Sequence, residues 1–98
     1  MPLFVVIGHD GPDGTARRDR HRTAHVAYIE ALDRAGRLTF AGPIKSDDGA
    51  VSTGVVLLLE AESLDDARRT AHDDPYVQGG VYDILTVSPI RKVFPKGA

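Results

Sequence analysis

"TGVVLLLEA" (residues 53–61) is the most apolar run of the chain, and its reading decides the fold. As a strand it alternates with period two. Val55, Leu57 and Leu59 then point to one side, and Val56 and Leu58 to the other. A second run, "LFVVIG" (3–8), has the same double character, with Leu3, Val5 and Ile7 opposed to Phe4 and Val6. Strands apolar on both faces need cover on both faces.

Working outward, "HDGPDGT" (9–15) is turn chemistry, and the pattern from about Ala16 to Ala35 is helical, stopped by Gly36. "RLTFAG" (37–42) alternates as a strand that Gly42-Pro43 is expected to end, and 44–52 reads as a polar loop. Ser63 with Asp66 three residues on forms a variant capping box for a helix over 63–72, with Asp65 and Arg69 spaced for an i,i+4 pair. "DDPY" breaks that helix, "QGG" turns the chain, and "VYDILTVS" (81–88) is the last strand. The order βαββαβ, with right-handed crossovers, predicts a ferredoxin-like α+β fold in which two helices cover one face of a four-stranded antiparallel sheet. The other apolar face is the kind of patch that soluble monomers avoid, so a second copy, sheet against sheet, is expected to cover it.

Composition narrows the function classes. Ninety-eight residues with 42% hydrophobic, 27% charged and a formal net charge of −2 describe one small soluble domain. That charge balance argues against broad binding to nucleic acid or to an anionic membrane. The chain has no cysteine, hence no disulfide framework, thiolate nucleophile or thiolate metal site. No stretch reads as a signal peptide or is long enough to span a bilayer, so a cytoplasmic setting is the default expectation.

The helix over 16–35 carries the chemistry. At about 100° per residue, Ile29 and Leu32 share a sector that runs back through His25 to Arg22, His21 and Arg18. The stripe that should face a core is therefore polar over its first turns. Two readings of His25 stand on residues alone: a core-rim histidine bonded to the backbone, or a general base. His21 and His25 have H-x3-H spacing, but Arg22 stands where the zinc-protease pattern has a glutamate and would repel a cation; no metal and no cofactor are expected. Asp74, fixed by Pro75 in extended backbone, is either a plain helix stop or a placed carboxylate that can meet His25.

The segments "RTAHVAYIEALDRAGRLTFAGP" and "ESLDDARRTAHDDPYVQGGVYDILTVSPIRKVF" resemble the YciI-like family, also called the YCII-related domain. The resemblance runs from Leu3 to Phe94 and rests on Arg22-x-x-His25, Gly36-x-Leu38, Ala41-Gly42-Pro43, and Asp73-Asp74-Pro75-Tyr76 followed by Gly80-Val81. It implies a ferredoxin-like protomer that dimerises through its sheets into an α+β barrel. It also implies a cleft with a histidine–aspartate active-site pair, here His25 and Asp74, with Arg22 beside them to receive an anionic oxygen. The family's assigned activities include dehydrochlorination of a chlorinated, hydroxylated ring. The expectation is a cofactor-free enzyme working by elimination or isomerisation on a small organic molecule; the alternative is a ligand-binding or accessory protein using the same pocket.

Overall fold

Seven elements follow one another: β1 (Leu3–Asp10), α1 (Gly14–Arg34), β2 (Leu38–Lys45), β3 (Ser52–Glu60), α2 (Leu64–His72), α3 (Pro75–Gln78) and β4 (Tyr82–Ile90). They are seen in a computed structural model that describes residues 1–97. The four strands form one antiparallel sheet in the order β2-β3-β1-β4, which is the ferredoxin-like topology expected from the element order.

Register sorts the side chains by face. Phe4 lies opposite Leu59, and Val6 opposite both Leu57 and Val87. Residues directly opposite one another share a face, and this one is closed by the helices: Phe4, Val6, Val55, Leu57 and Leu59 are buried against Ala61, Ala67 and Ala71. The small alanines of α2 let that helix sit close to the sheet. On the opposite face Val5 pairs with Leu58 and Ile7 with Val56, all only half-buried, while Phe40 and Ile84 are exposed. The apolar residues on both sides of 53–61 therefore have two different surroundings, one packed and one open.

Several boundaries differ from the sequence reading. Strand β2 continues through Gly42-Pro43 to Lys45 instead of stopping there, and β4 continues through Pro89. Both are edge strands, where a proline lacking an N–H removes no ladder bond that the sheet needs. Strand β1 likewise reaches Asp10, past Gly8. The segment read only as a break and turn contains the short helix α3, with Pro75 in its first turn and Asp74 as its N-cap. The N-cap of α2 is Ser63, which accepts from the Asp66 N–H at 3.1 Å, and Asp66 reaches back to the N–H of Glu62. Arg69 pairs with Asp66 at 3.7 Å and not with Asp65. Gly36, at φ 72°, ends α1 as expected, its left-handed conformation being one that a side chain would strain.

Candidate active site

Helix α1 is attached to the body by different chemistry at its two ends. Towards its C-terminus Leu32 is buried and Ile29 packs on the core. Towards its N-terminus the attachments are polar. Arg17 donates from Nη1 to the Gly79 carbonyl at 3.2 Å; further along, beside Ile29, the Tyr28 hydroxyl adds a polar tie to the Thr70 carbonyl at 2.7 Å. The Arg18 guanidinium grips Asp10 through Nε (2.7 Å) and Nη2 (2.9 Å), and Nη2 also donates to the Gly54 carbonyl at 3.0 Å. Such bonds hold the helix at a fixed distance without bringing it down onto the strands. A pocket of about 560 Å³ remains beneath it.

The pocket's helical wall carries Arg18, Arg22, His25 and Ile29, the same inward stripe that is polar in sequence. Ala41 and Pro43 of β2 and Val55 and Leu57 of β3 supply an apolar wall opposite. Lys45, Ala50, Val51 and Ser52 also line it, so the segment read as a polar loop contributes to the pocket. That loop holds its own shape: Ser46 donates to Asp48, which accepts from the Ala50 N–H, and the Val51 N–H donates to the Ser46 hydroxyl. Tyr76 and Tyr82 complete the lining.

His25 and Asp74, 49 residues apart, meet here. His25 Nδ1 lies 2.7 Å from Asp74 Oδ1, with side-chain exposures of 15% and 5%. Asp74 is extended (φ −61°, ψ 128°), as Pro75 requires, and the same Oδ1 accepts the Tyr76 N–H at 2.9 Å as the N-cap of α3. The carboxylate is thereby fixed from two directions. The imidazole is fixed from a third, stacked on the Tyr76 ring with centroids 3.7 Å apart and planes 4° from parallel. With Nδ1 committed to the carboxylate, Nε2 is the nitrogen without a hydrogen bond among the described residues.

Arg22 lines the pocket but is exposed and paired with Asp19 on its own helix at 3.0 Å. His21 is not in the pocket lining; its ring fills the space over Gly79, which a Cβ there would occupy. His9 and His72 are both exposed. Among the described residues no three His, Cys, Asp or Glu side chains are gathered as metal ligands would be, and no helix is long and apolar enough to cross a membrane.

Sequence reasoning singled out neither the Arg18–Asp10 ion pair nor the two tyrosines. Arg18 lay in the inward stripe, where an arginine calls for a carboxylate partner, but nothing along the chain selects Asp10 from its other acidic residues. Asp10 holds the Arg18 proton more firmly than usual, against the opposing effect of burial. The guanidinium lies over both Tyr76 and Tyr82, at 5.3 and 5.7 Å from the ring centroids. Burial keeps the Tyr82 hydroxyl protonated well above the ordinary tyrosine range, although Arg18 opposes it.

Comparison with known proteins sets this geometry in context. The YCII-related domain matches residues 2–91. Protein YciI of Escherichia coli is 40% identical over 97 residues, covering 94% of this chain and 99% of that protein. Among solved structures, a 5-chloro-2-hydroxyhydroquinone dehydrochlorinase from Burkholderia phenoliruptrix, in complex with 2,5-dihydroxybenzoquinone, superposes with a TM-score of 0.79 at 28% identity, covering 91% of this chain and 93% of that one. A Mycobacterium tuberculosis protein at 16% identity and a TM-score of 0.54, covering 99% of this chain and 100% of its own, shares the fold.

Proposed function

This chain belongs to the YCII-related domain family, and from that premise we propose that its pocket is the active site of an enzyme acting, without a cofactor, on a small oxygenated ring by acid–base chemistry at His25. The observation that carries this reading is the 2.7 Å His25–Asp74 contact in the wall of an open pocket, with Nε2 left to react. A carboxylate on Nδ1 selects the tautomer whose Nε2 accepts a proton, and it balances the imidazolium that results. Nε2 takes a proton from a substrate hydroxyl or C–H. Returned to the ring carbon that bears the leaving group, that proton gives the keto tautomer; loss of a second hydroxyl proton to Nε2 then expels the group, as chloride, and leaves the quinone, and where no leaving group is present the first transfer alone is an isomerisation. Arg22 at the pocket mouth adds positive charge that favours an anionic oxygen entering. The apolar wall of Ala41, Pro43, Val55 and Leu57 suits the face of a planar ring.

The same reading makes the functional unit a homodimer. The open sheet face presents Val5, Ile7, Val56 and Leu58 with Phe40 and Ile84 around them, and a second copy covers it sheet to sheet.

The test is chloride release from 5-chloro-2-hydroxyhydroquinone, the substrate in the dehydrochlorinase's name. Wild type is expected to turn it over, and His25→Ala to lose about 100-fold or more, as loss of a general base does. Asp74→Asn should fall between them. Binding without turnover would favour the ligand-binding alternative; neither binding nor turnover would sink both.

A further inference from the structure

The formally charged side chains that border the pocket are all of one sign. Arg18, Arg22 and Lys45 line it, and no Asp or Glu does, although the chain carries 14 of them. Arg18 is answered by Asp10 and Arg22 by Asp19. Lys45 pairs with no acid among the described residues; its ammonium donates to the Ser52 hydroxyl at 3.2 Å, and Ser52 lines the pocket too. Asp48 of the adjoining loop is taken up by the Ser46 hydroxyl and the Ala50 N–H. Backbone irregularity brings Lys45 and Ser52 together. Pro43 faces Val55 on the pocket side, and Lys45, two residues on, keeps that side. Ser52 would fall on the opposite face by alternation from Val55. However, Ile44 pairs with Gly54 and Lys45 with Ser52, so Thr53 is an extra residue in β3. This β-bulge, tied by the Thr53 hydroxyl to the Ile44 carbonyl at 3.3 Å, turns Ser52 back to the pocket side.

We infer that Lys45 and Ser52 form a carboxylate subsite, so that the substrate is a ring acid and not a bare quinol. The inference rests on reading the pocket as a site for an oxygenated ring, and it names what that ring must carry. One N–H of the Lys45 ammonium is spent on Ser52, which leaves others to donate. The Ser52 oxygen accepts that bond and keeps its own proton to give. Two donors 3.2 Å apart suit the two oxygens of one carboxylate, and the unmatched positive charge favours an anion over a neutral group. The apolar pair Pro43 and Val55 adjoins them along the same two strands, so a ring lying on that pair has its carboxylate within the same wall. A pocket of about 560 Å³ has room for a substituted ring.

The experiment is calorimetric titration at neutral pH with gentisate, a quinol carrying a carboxylate, and with gentisamide, its uncharged counterpart of nearly the same shape. Wild type should bind gentisate about fivefold to tenfold more tightly, a modest ratio because Lys45 is exposed. The preference should shrink at high ionic strength. Lys45→Met keeps the stem and removes the charge, and the preference should vanish in it. Ser52→Ala removes one donor and should cost gentisate about twofold to fivefold. Equal wild-type affinity for the two ligands overturns the subsite and leaves the reading of the pocket intact. A preference for gentisate that survives in Lys45→Met overturns it as well, since the charge would then come from elsewhere in the lining. Binding of neither ligand also overturns the subsite, and chloride release from the chlorinated quinol then decides separately whether the reading of the pocket stands.

Discussion

On one face of the sheet Phe4, Val6, Leu57 and Leu59 are shut in by helices; on the other Leu3, Val5, Ile7, Val56 and Leu58 are half-buried at most. The two sets are chemically alike and alternate along the same strands. What separates them is the cover available. Helix α2, with Ala67 and Ala71 on its inner side, comes down to contact and makes a dry core. Helix α1 presents Arg18, Arg22 and His25 over β2 and β3, and a pocket takes the place of a core. The open face has no cover within the chain. Side-chain hydrophobicity determines which residues can be buried, and the partner surface determines what burial becomes.

The contrast breaks most sharply at Leu59, which is 0% exposed. Leu59→Ala should cost about 2–5 kcal/mol, the range for a core leucine that leaves a cavity. Denaturant unfolding would read it, and a loss below about 1 kcal/mol would mean that the helix-side core is not the stabilising one.

Its neighbour Leu58, on the open face, should respond in another way. Wild type is expected to sediment at twice the chain mass. Leu58→Asp should bring it to the monomer mass with far-ultraviolet dichroism retained, because an unpaired carboxylate is intolerable between apposed sheets but tolerable in water. A monomeric wild type would remove the homodimer from the proposal.

Much of this organisation was legible in the sequence because period-two alternation and glycine and proline punctuation act locally. The topology, the two-sided strands and the stop at Gly36 all follow from neighbours along the chain. The errors arose where tertiary position overrides the local signal. Pro43 and Pro89 look like strand stops, and they sit inside strands because those strands are edges. The turn at 75–78 hides a helix, since one turn of four residues carries no periodicity. In the site, the polar stripe of α1 and the extended Asp74 could be read directly, but their union needed the resemblance as well. Arg18, Tyr76 and Tyr82 were not legible as a group. Nothing in the spacing of Asp10, Arg18 and Tyr82 says that a bulge after His9 and a bare Gly8 bring them under one helix.

The smallest expected effect sharpens the comparison between packed core and pocket, and it concerns alkaline pH. Tyrosine in the unfolded chain ionises near ~10. In the folded protein burial raises both Tyr82 and Tyr28, Tyr82 the further, with nearby carboxylates adding to the effect and Arg18 or Arg37 opposing it. Between the unfolded and folded values the unfolded state binds fewer protons, so stability is full below pH ~10 and falls as pH rises above it. The fall from Tyr82 is at most about 1 kcal/mol per pH unit, since the residue is only partly buried. Tyr82→Phe should therefore lose less stability than wild type on going from neutral to strongly alkaline buffer, although the two are alike at neutral pH. Tyr28→Phe would not serve as the same probe, because it also gives up the 2.7 Å hydrogen bond to Thr70 that ties α1 to α2. Equal alkaline slopes in wild type and Tyr82→Phe would show that the Tyr82 hydroxyl is hydrated through the pocket. It would then be an ordinary solvated phenol instead of a desolvated donor.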